Sequence, residues 1–273
     1  MQLKTLLIRS ASGFVYALVI LLGILWGPMT LGVVLLLFAY LSLKEISNLI
    51  SFENEKKSKL FSIVIGMSIS ILLYMHSLHY LSSDLLWISI GLLFLIPVRE
   101  LFCHSKNVFE SVASQFFSIL YIVLPLGLVN YLFYPGDYPQ IPQRSLLFAF
   151  FLFIWTNDTF AYLTGSLIGK HKLAKHISPK KTIEGSLGGL LFTIVVSIVF
   201  ANYFEVLDLF QWIIFAVIIV FFGTFGDLFE SMLKRNVGVK DSGDIMPGHG
   251  GILDRLDSVL MASPFIYLYL KLL

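Results

Sequence analysis

Charged residues and cysteine are both scarce in this sequence. Charged residues make up 13% of the 273 positions, about half of the roughly 25% that is typical of water-soluble proteins. Cys103 is the single cysteine, so an intrachain disulfide and a cysteine metal cluster are both excluded. Hydrophobic residues make up 57% of the chain and include 25 phenylalanines. Because one soluble domain cannot bury that much apolar surface, we expect an all-α, polytopic integral membrane protein.

The sequence also lacks the glycine motifs of soluble nucleotide-binding domains. Neither G-x-x-x-x-G-K-[ST] nor a strand-bound G-x-G-x-x-G occurs, which excludes a P-loop or Rossmann site. The formal net charge of +2 is too small to indicate a nucleic-acid partner. Any polar ligand must therefore be bound by residues that the membrane helices and their connections bring together.

Charged and turn-rich breaks divide the apolar runs into nine candidate transmembrane helices. We place them at about residues 11–27, 29–43, 60–80, 84–102, 112–134, 145–168, 186–204, 208–233 and 253–273. If the N terminus is cytosolic, 17 of the 19 basic residues lie in cytosolic segments, and only Arg144 and Lys271 lie outside. The positive-inside rule therefore predicts a cytosolic N terminus and a C terminus on the opposite side.

The sequence contains no internal repeat and no soluble appendage, so residues 1–273 are interpreted as a single membrane domain. Two connections are rich in Lys, Gly, Pro and His: residues 169–185, called here the lysine loop, and residues 234–253. Both are predicted to be cytosolic. We therefore divide the domain into an N-terminal helical half, residues 1–144, and a C-terminal half, residues 145–273, which contains both connections and in which we expect the functional site.

A polar cluster, Thr156-Asn157-Asp158-Thr159, interrupts the sixth span. An aspartate at the centre of a membrane helix costs about 2.5–3.5 kcal/mol on insertion scales, so it normally faces a partner or a water-filled cavity. Asp158, Tyr162, Gly165 and Gly169 follow one another at spacings of four, three and four, which places them on one helical face. The alternative is a helix-packing face on which a neighbouring Ser or Thr satisfies Asp158.

The lysine loop contains five lysines in the twelve residues 170–181, followed by Thr182 and Glu184 at the predicted start of the next helix. Because helix N-termini favour anions, this arrangement indicates a phosphate-binding site. The alternative is a positive-inside connection that only contacts anionic lipid headgroups.

The eighth span carries Asp227 near its predicted cytosolic end, at about the same depth as Asp158 in the sixth span. Glu230 and Ser231 lie on the same helical face as Asp227. Carboxylates at this depth need a cation or each other. The alternative is a structural ion pair between Asp227 and Lys234, which is seven residues further along the helix.

Residues 241–252 are called here the glycine-rich loop, and they contain Pro247-Gly248-His249-Gly250-Gly251. Such a sequence lets the backbone approach a ligand closely. Asp254, Arg255 and Asp257 follow at the start of the last span. Carboxylates and basic side chains around a glycine-rich backbone suit a polyphosphate bound with Mg²⁺, which prefers a few carboxylates together with substrate phosphates. The pattern does not favour zinc, because cysteine ligands are lacking.

Taken together, these segments resemble the phosphatidate cytidylyltransferase (CDP-diacylglycerol synthase) family. The resemblance lies in the pattern Ser231-x-Leu-Lys-Arg, Lys240-Asp, Pro-x-His-Gly-Gly-x-x-Asp-Arg-x-Asp257, together with S-P-K-K-T-x-E-G and D-T-x-A-Y-x-x-G, and it covers roughly residues 156–257. Two positions depart from the family pattern. Met246 replaces another apolar residue, and Ser166 replaces a basic residue that could contact phosphate.

The resemblance implies that phosphatidic acid attacks the α-phosphorus of CTP to give CDP-diacylglycerol and pyrophosphate, at a site that faces the cytosol and the membrane lipid. It implies that Asp227 and Asp254 bind Mg²⁺, with a second cation such as K⁺ left open, and that Asp158 and Asp257 are weaker metal candidates. The residues expected to take part in catalysis are Asp227, Asp254, His249, Lys240 and Asp241. The residues expected to bind the two substrates are Lys170, Lys172, Lys180, Lys181, Lys234, Arg235, Arg255, Gly250 and Gly251.

Two other functions remain open on the sequence. A CTP-dependent kinase of a polyprenol or phytol would share the metal and triphosphate contacts but would phosphorylate an alcohol. A cation-coupled transporter would use Asp158 and Asp227 as an ion path. The sequence does not decide whether the chain forms a homodimer, which acyl chains it prefers, or which basic residues contact which substrate.

Overall fold

The computed structural model describes residues 2–50, 56–103, 107–134, 143–248 and 250–273. Within these ranges it contains nine α-helices and one small β-hairpin. The helices are α1 (Gln2–Trp26), α2 (Pro28–Leu49), α3 (Lys56–Ser77), α4 (Trp87–Glu100), α5 (Val108–Tyr131), α6 (Arg144–Ile168), α7 (Ile183–Ala201), α8 (Leu209–Asn236) and α9 (Leu253–Leu272). A short 3-10 helix, Ser83–Leu86, precedes α4.

The helix starts follow from local capping chemistry. Gly27 lies between α1 and α2 with a φ of 121°, a conformation that favours glycine, and Pro28 occupies the first turn of α2. Helix α8 begins with a capping box: the backbone N–H of Gln211 donates to Asp208 Oδ1 at 2.7 Å, and the Asp208 N–H donates to Gln211 Oε1 at 2.9 Å. These contacts satisfy N–H groups that would otherwise have no partner at the helix end.

Six helices in the described part of the chain are long and apolar enough to cross a membrane, namely α2, α3 (from Ser58), α5, α6, α7 and α8. The chain is therefore a multi-pass, mainly α-helical membrane protein, as the composition predicted. The nine predicted spans are not all confirmed. Helix α4 has 14 residues, about 21 Å at 1.5 Å per residue, against a hydrocarbon core of about 30 Å. Helix α9 carries charged residues near both ends, and the apolar part of α1 is Ala11–Trp26.

The chain divides into two compact units. The first comprises Met1–Tyr131 and Asp241–Arg255, and the second comprises Leu132–Lys240 and Leu256–Leu273. Most of the glycine-rich loop's neighbours in the first unit therefore come from the N-terminal helices, because this unit joins Asp241–Arg255 to Met1–Tyr131.

Each unit has its own buried core. In the first unit, the Tyr74 hydroxyl donates to the Met29 carbonyl at 3.0 Å, and its ring packs where a Cβ at Gly32 would stand. In the second unit, the ring of Trp212 lies edge-on to Phe200 and Phe215, with centroid distances of 5.3 and 5.5 Å. Such aromatic pairs add to the free energy of burial in the second unit.

The lysine loop contains the hairpin. Strand β1 (Lys172–Ala174) pairs antiparallel with β2 (Ser178–Thr182), with Lys172 opposite Thr182. The all-α prediction therefore holds for the membrane helices. It misses this hairpin, because the strands are short and the closely spaced lysines leave no clear alternation of apolar and polar residues.

Candidate active site

Glu184, in the first turn of α7, fixes the start of the hairpin. Its carboxylate accepts the backbone N–H groups of Lys170 at 3.0 Å and His171 at 3.1 Å, and it lies 2.5 Å from Nδ1 of His171. The N-terminal donors of α7 are partly used within the chain: the Gly185 N–H donates to the Thr182 hydroxyl, and the Ile183 N–H donates to the His171 carbonyl. Two N–H groups at the start of α7 are therefore already used within the chain, so fewer donors are left for the expected anion than the sequence indicated.

Glycines let α6 and its C-terminal end pack closely against neighbouring segments. A Cβ at Gly165 in α6, or at Gly169 just after it, would meet the Thr182 side chain, and a Cβ at Gly189 in α7 would meet the Asn157 side chain of α6. The contacts of Gly165 and Gly169 support the packing alternative for the glycines of that face. Asp158, in contrast, is exposed on α6.

Glycines also bring α8 and α9 together in the second unit. The Ser258 hydroxyl donates to the Gly223 carbonyl at 3.1 Å, and a Cβ at Gly226 would overlap the Asp257 carbonyl. Because Asp227 follows Gly226 directly, this close approach places the two aspartates near each other. The spacing of glycines three apart before Asp227 is the sequence signal that could have indicated this helix contact.

In the second unit, Asp257 interacts electrostatically with three other carboxyl groups, those of Asp227, Glu230 and Asp158. We call these four residues the carboxylate cluster. Like charges repel at short range, so cations stabilise the arrangement. Lys181 supplies one through an ion pair with Asp227, and Ser231 donates to the same carboxylate at 3.3 Å.

A second lysine, Lys234, forms an ion pair with Glu230 at 2.5 Å, and both side chains are buried. Asp227 thus pairs with Lys181, and Lys234 pairs with Glu230, four residues back along α8. Glu230 was noted on the same face as Asp227 but not included in the predicted site.

The remaining basic candidates are mostly exposed. Lys170, Lys172, Lys180, Arg235 and Lys240 are at least partly exposed, and Arg255 is half-buried. The Arg235 guanidinium donates to the Val239 carbonyl at 2.9 Å, which closes the end of α8. The exposed lysines have the freedom to follow a phosphate group, whereas Lys181 and Lys234 are held by carboxylates.

In the first unit, Asp254 organises the glycine-rich loop. Its Oδ2 accepts the N–H groups of Ser242 at 2.9 Å and Gly251 at 2.7 Å, and the Ser242 hydroxyl lies 2.9 Å away. Gly250 has a φ of 84°, and a Cβ there would meet Asp254 and Asp241. Gly250 therefore permits a tight turn beside Asp254, while Asp241 is exposed.

His249 lies outside the described residues, so its predicted catalytic role stays a prediction. The structure adds a residue that the sequence-based site omitted: Glu45 of α2 is 4% exposed and accepts hydrogen bonds from the glycine-rich loop and from α9. A glutamate at the end of a short apolar span was a signal for it, because buried acidic residues in membrane helices usually have a specific partner.

The donor set bears on the predicted metal. Among the described residues, no group of three or more His, Cys, Asp or Glu side chains is arranged to hold a metal ion by itself. Mg²⁺ bound together with nucleotide phosphates needs only one or two carboxylates, because the phosphates and water supply the other oxygens. The carboxylate cluster fits that requirement, since it contains enough carboxylates and its Asp227 already pairs with a cation, the Lys181 ammonium.

Comparison with known proteins follows the same segments. A family model described as "Cytidylyltransferase family" matches residues 7–273. A protein of Staphylococcus haemolyticus named phosphatidate cytidylyltransferase is 35% identical over 264 residues, which cover 96% of this chain and 98% of that protein. A relative of the same name from Staphylococcus aureus (strain COL) is 34% identical over 265 residues, with the same coverage of 96% and 98%. One from Staphylococcus epidermidis is 51% identical over 129 residues, which cover 46% of this chain and 49% of that protein.

Proposed function

The chain belongs to the cytidylyltransferase family, and we propose that it transfers CMP from CTP to phosphatidic acid, giving CDP-diacylglycerol and pyrophosphate. The observation that carries this proposal is the similarity to proteins named phosphatidate cytidylyltransferase along 96% of the chain. It is a nucleotidyltransferase of phospholipid biosynthesis, embedded in the membrane that supplies its lipid substrate.

The reaction needs little proton chemistry. An oxygen of the phosphatidic acid phosphate attacks the α-phosphorus of CTP, a new P–O–P bond forms, and the bond from the α-phosphorus to the β-phosphate oxygen breaks. Because an ionised phosphate monoester is already a nucleophile, no strong general base is required. Catalysis of such a step depends on in-line positioning and on charge neutralisation.

The carboxylate cluster is our proposed Mg²⁺ site in the second unit. Asp227 is the principal ligand, because it lies in α8 beside the α8–α9 contact and already pairs with a cation. Asp257 and Asp158 support it as neighbouring carboxylates. When bound, Mg²⁺ would neutralise phosphate charge and hold the triphosphate in one orientation.

Asp254 is the second proposed ligand, on the strength of the family resemblance. In the first unit its Oδ2 is occupied by the donors of the glycine-rich loop. We therefore assign Asp254 a double role: it fixes the loop, and its carboxylate would bind a cation.

The lysine loop provides the phosphate contacts in this proposal. Lys170, Lys172 and Lys180 extend from a hairpin that Glu184 holds in place, so their ammonium groups can reach an anionic ligand. Lys181 pairs with Asp227; with Mg²⁺ on Asp227, the Lys181 ammonium would be free to contact a phosphate. This exchange would couple metal binding to phosphate binding.

The finer topology is also a proposal. We infer that α1, α4 and α9 cross the membrane in addition to the six long apolar helices, which gives nine spans with a cytosolic N terminus and active site. The basic-residue asymmetry of 17 to 2 supports this arrangement.

The test is an acceptor comparison with purified enzyme. Pyrophosphate release from CTP and Mg²⁺ should require phosphatidic acid and should not occur with diacylglycerol or a polyprenol. CDP release with a polyprenol acceptor would instead support the kinase, and neither product with any acceptor would leave the proposed reaction without support.

A further inference from the structure

Glu45 lies in the last turns of α2 and is 4% exposed. Its Oε1 accepts the Ile252 N–H at 2.9 Å, and its Oε2 accepts the Leu253 N–H at 2.8 Å. The Ser242 hydroxyl lies 3.0 Å from Oε2 as well. Both carboxylate oxygens are therefore used, and every one of these partners belongs to the glycine-rich loop or to the first residue of α9.

The contacts satisfy a specific need of α9. The first N–H groups of a helix have no partner within the helix, and a negative charge beside them is favourable. Helix α9 begins at Leu253, so Glu45 receives N–H groups from the helix start and from the residue before it. A carboxylate supplied by another helix thus caps α9, at the point where the loop ends.

Glu45 and Asp254 form one hydrogen-bonded group. The Ser242 hydroxyl lies 3.0 Å from Glu45 Oε2 and 2.9 Å from Asp254 Oδ2, and the Gly251 N–H donates to Asp254. The orientation of Asp254, a proposed metal ligand, is consequently tied to Glu45 through Ser242.

The glycines of the loop are pressed against the same carboxylate. A Cβ at Gly251 would overlap Glu45 and Ser242, and a Cβ at Gly243 would lie 2.8 Å from Glu45 Oε1. Two glycines of the loop therefore make room for Glu45. Nearby, the Tyr16 hydroxyl donates to the Arg255 carbonyl at 3.0 Å, so α1 and α2 both hold this segment.

We propose that Glu45 is a positioning residue for nucleotidyl transfer: it holds the glycine-rich loop and Asp254 in the geometry that receives CTP. This inference rests on the proposed function. Glu45 itself touches no substrate, and it acts through Ser242, Gly251 and Asp254. A misplacement of about 1 Å at a reacting group can lower a rate about 100-fold, so a loss of these hydrogen bonds has a large kinetic effect.

The informative substitution is Glu45→Gln. Because each Glu45 oxygen accepts a backbone N–H, the glutamine NH₂ must face one of those donors whichever way the amide is turned. The loop must then move while the side-chain volume is unchanged. The matched control is Glu100→Gln in the same unit: Glu100 is also 4% exposed and accepts from Arg99, Ser111 and Gln115, all away from the loop.

The experiment measures kcat and KM for CTP per folded molecule, together with hydrogen exchange of the peptide covering residues 241–255. For Glu45→Gln we expect kcat/KM to fall about 100-fold and exchange in this peptide to rise. For Glu100→Gln we expect both to stay within about threefold of wild type. Glu45→Asp keeps the charge but shortens the reach, so its kcat/KM should lie between those of Glu45→Gln and wild type.

Wild-type kcat/KM and exchange in Glu45→Gln would overturn the proposal, as would equal losses in both Gln variants. If Glu45→Gln cannot be isolated folded, Glu45→Asp decides: wild-type kcat/KM overturns the proposal, and a reduced value with faster exchange of residues 241–255 supports it. If wild-type enzyme makes no CDP-diacylglycerol, the proposed function fails, but the exchange comparison still tests whether Glu45 orders the loop.

Discussion

Asp227 and Asp254 were predicted as equivalent metal ligands, but their surroundings differ. Asp227 forms an ion pair with Lys181 and accepts a hydroxyl from Ser231. Asp254 accepts backbone N–H groups of its own loop. The same substitution therefore tests a different role at each position.

For Asp227→Asn we expect turnover to fall at least about 100-fold, while the protein remains inserted and folded. The amide keeps the shape of the side chain but lacks the negative charge that binds Mg²⁺. If the carboxylate were only structural, removing its charge would also remove its desolvation cost and the change would be tolerated. Initial rates across a Mg²⁺ titration measure this, and near-normal magnesium-dependent turnover would remove Asp227 from the site.

Asp254→Asn separates the two roles of that residue. The asparagine oxygen can accept the N–H groups of Ser242 and Gly251 as the carboxylate does, so we expect the loop to stay ordered and turnover to be lost. Asp254→Ala should lose both, because the backbone donors then have no acceptor. Hydrogen exchange and activity are measured on the same preparations. An active Asn variant beside an inactive Ala variant would show that Asp254 holds the loop and binds no metal.

The hairpin of the lysine loop carries two adjacent lysines with different surroundings. Lys180 and Lys181 are adjacent in β2, but Lys180 is exposed and Lys181 pairs with Asp227. Arginine keeps the positive charge and changes the geometry of phosphate contacts. We expect the Lys180→Arg, Lys181→Arg double variant to insert normally and to have a raised KM for CTP.

Each single variant should contribute differently, since Lys181 pairs with a carboxylate of the second unit and Lys180 is exposed. Lys181→Arg is expected to shift the Mg²⁺ dependence, whereas Lys180→Arg is expected to change the KM for CTP alone. Full activity with unchanged KM in the double variant would mean that the loop serves topology and lipid contact instead.

The close contact between α8 and α9 depends on the glycine at position 226. A methyl group at Gly226 would overlap the Asp257 carbonyl and the Met261 side chain. Because the first obstacle is backbone, Gly226→Ala should cost about 1–3 kcal/mol and lower activity by displacing Asp257. Gly91→Ala in α4 is the control, since a methyl group at Gly91 would meet no atom within 4 Å. Thermal unfolding in detergent compares the two, and equal melting temperatures would refute the tight contact.

At the scale of the whole molecule, the apolar runs alone predict most of the helices. In lipid, the length and apolarity of a run decide whether it forms a spanning helix. The starts of α2 at Pro28 and of α8 after Asp208 follow from the residues that begin those helices. Glu45 could not be placed this way. It is 197 positions from Ser242, and only the folding of the glycine-rich loop onto α2 brings them together. The Lys181–Asp227 pair likewise depends on the hairpin, which no periodic pattern predicts.

The nine-span topology has a direct test. Tags at residues 1 and 273 should report opposite sides of the membrane, because an odd number of crossings separates the termini. Accessibility of each tag in sealed vesicles and after detergent measures this. Both tags on one side would require an even number of spans, and α1, α4 or α9 would then not cross.

In the proposed reaction, the chain moves a nucleotidyl group onto a lipid phosphate. The most direct measurement supplies purified enzyme with phosphatidic acid and CTP labelled in the cytosine base, and in a parallel reaction with CTP labelled at the γ-phosphate. We expect the base label to enter the lipid phase, one per pyrophosphate released, and the γ label to stay in water. A lipid product that carries the γ label without the base would contradict it.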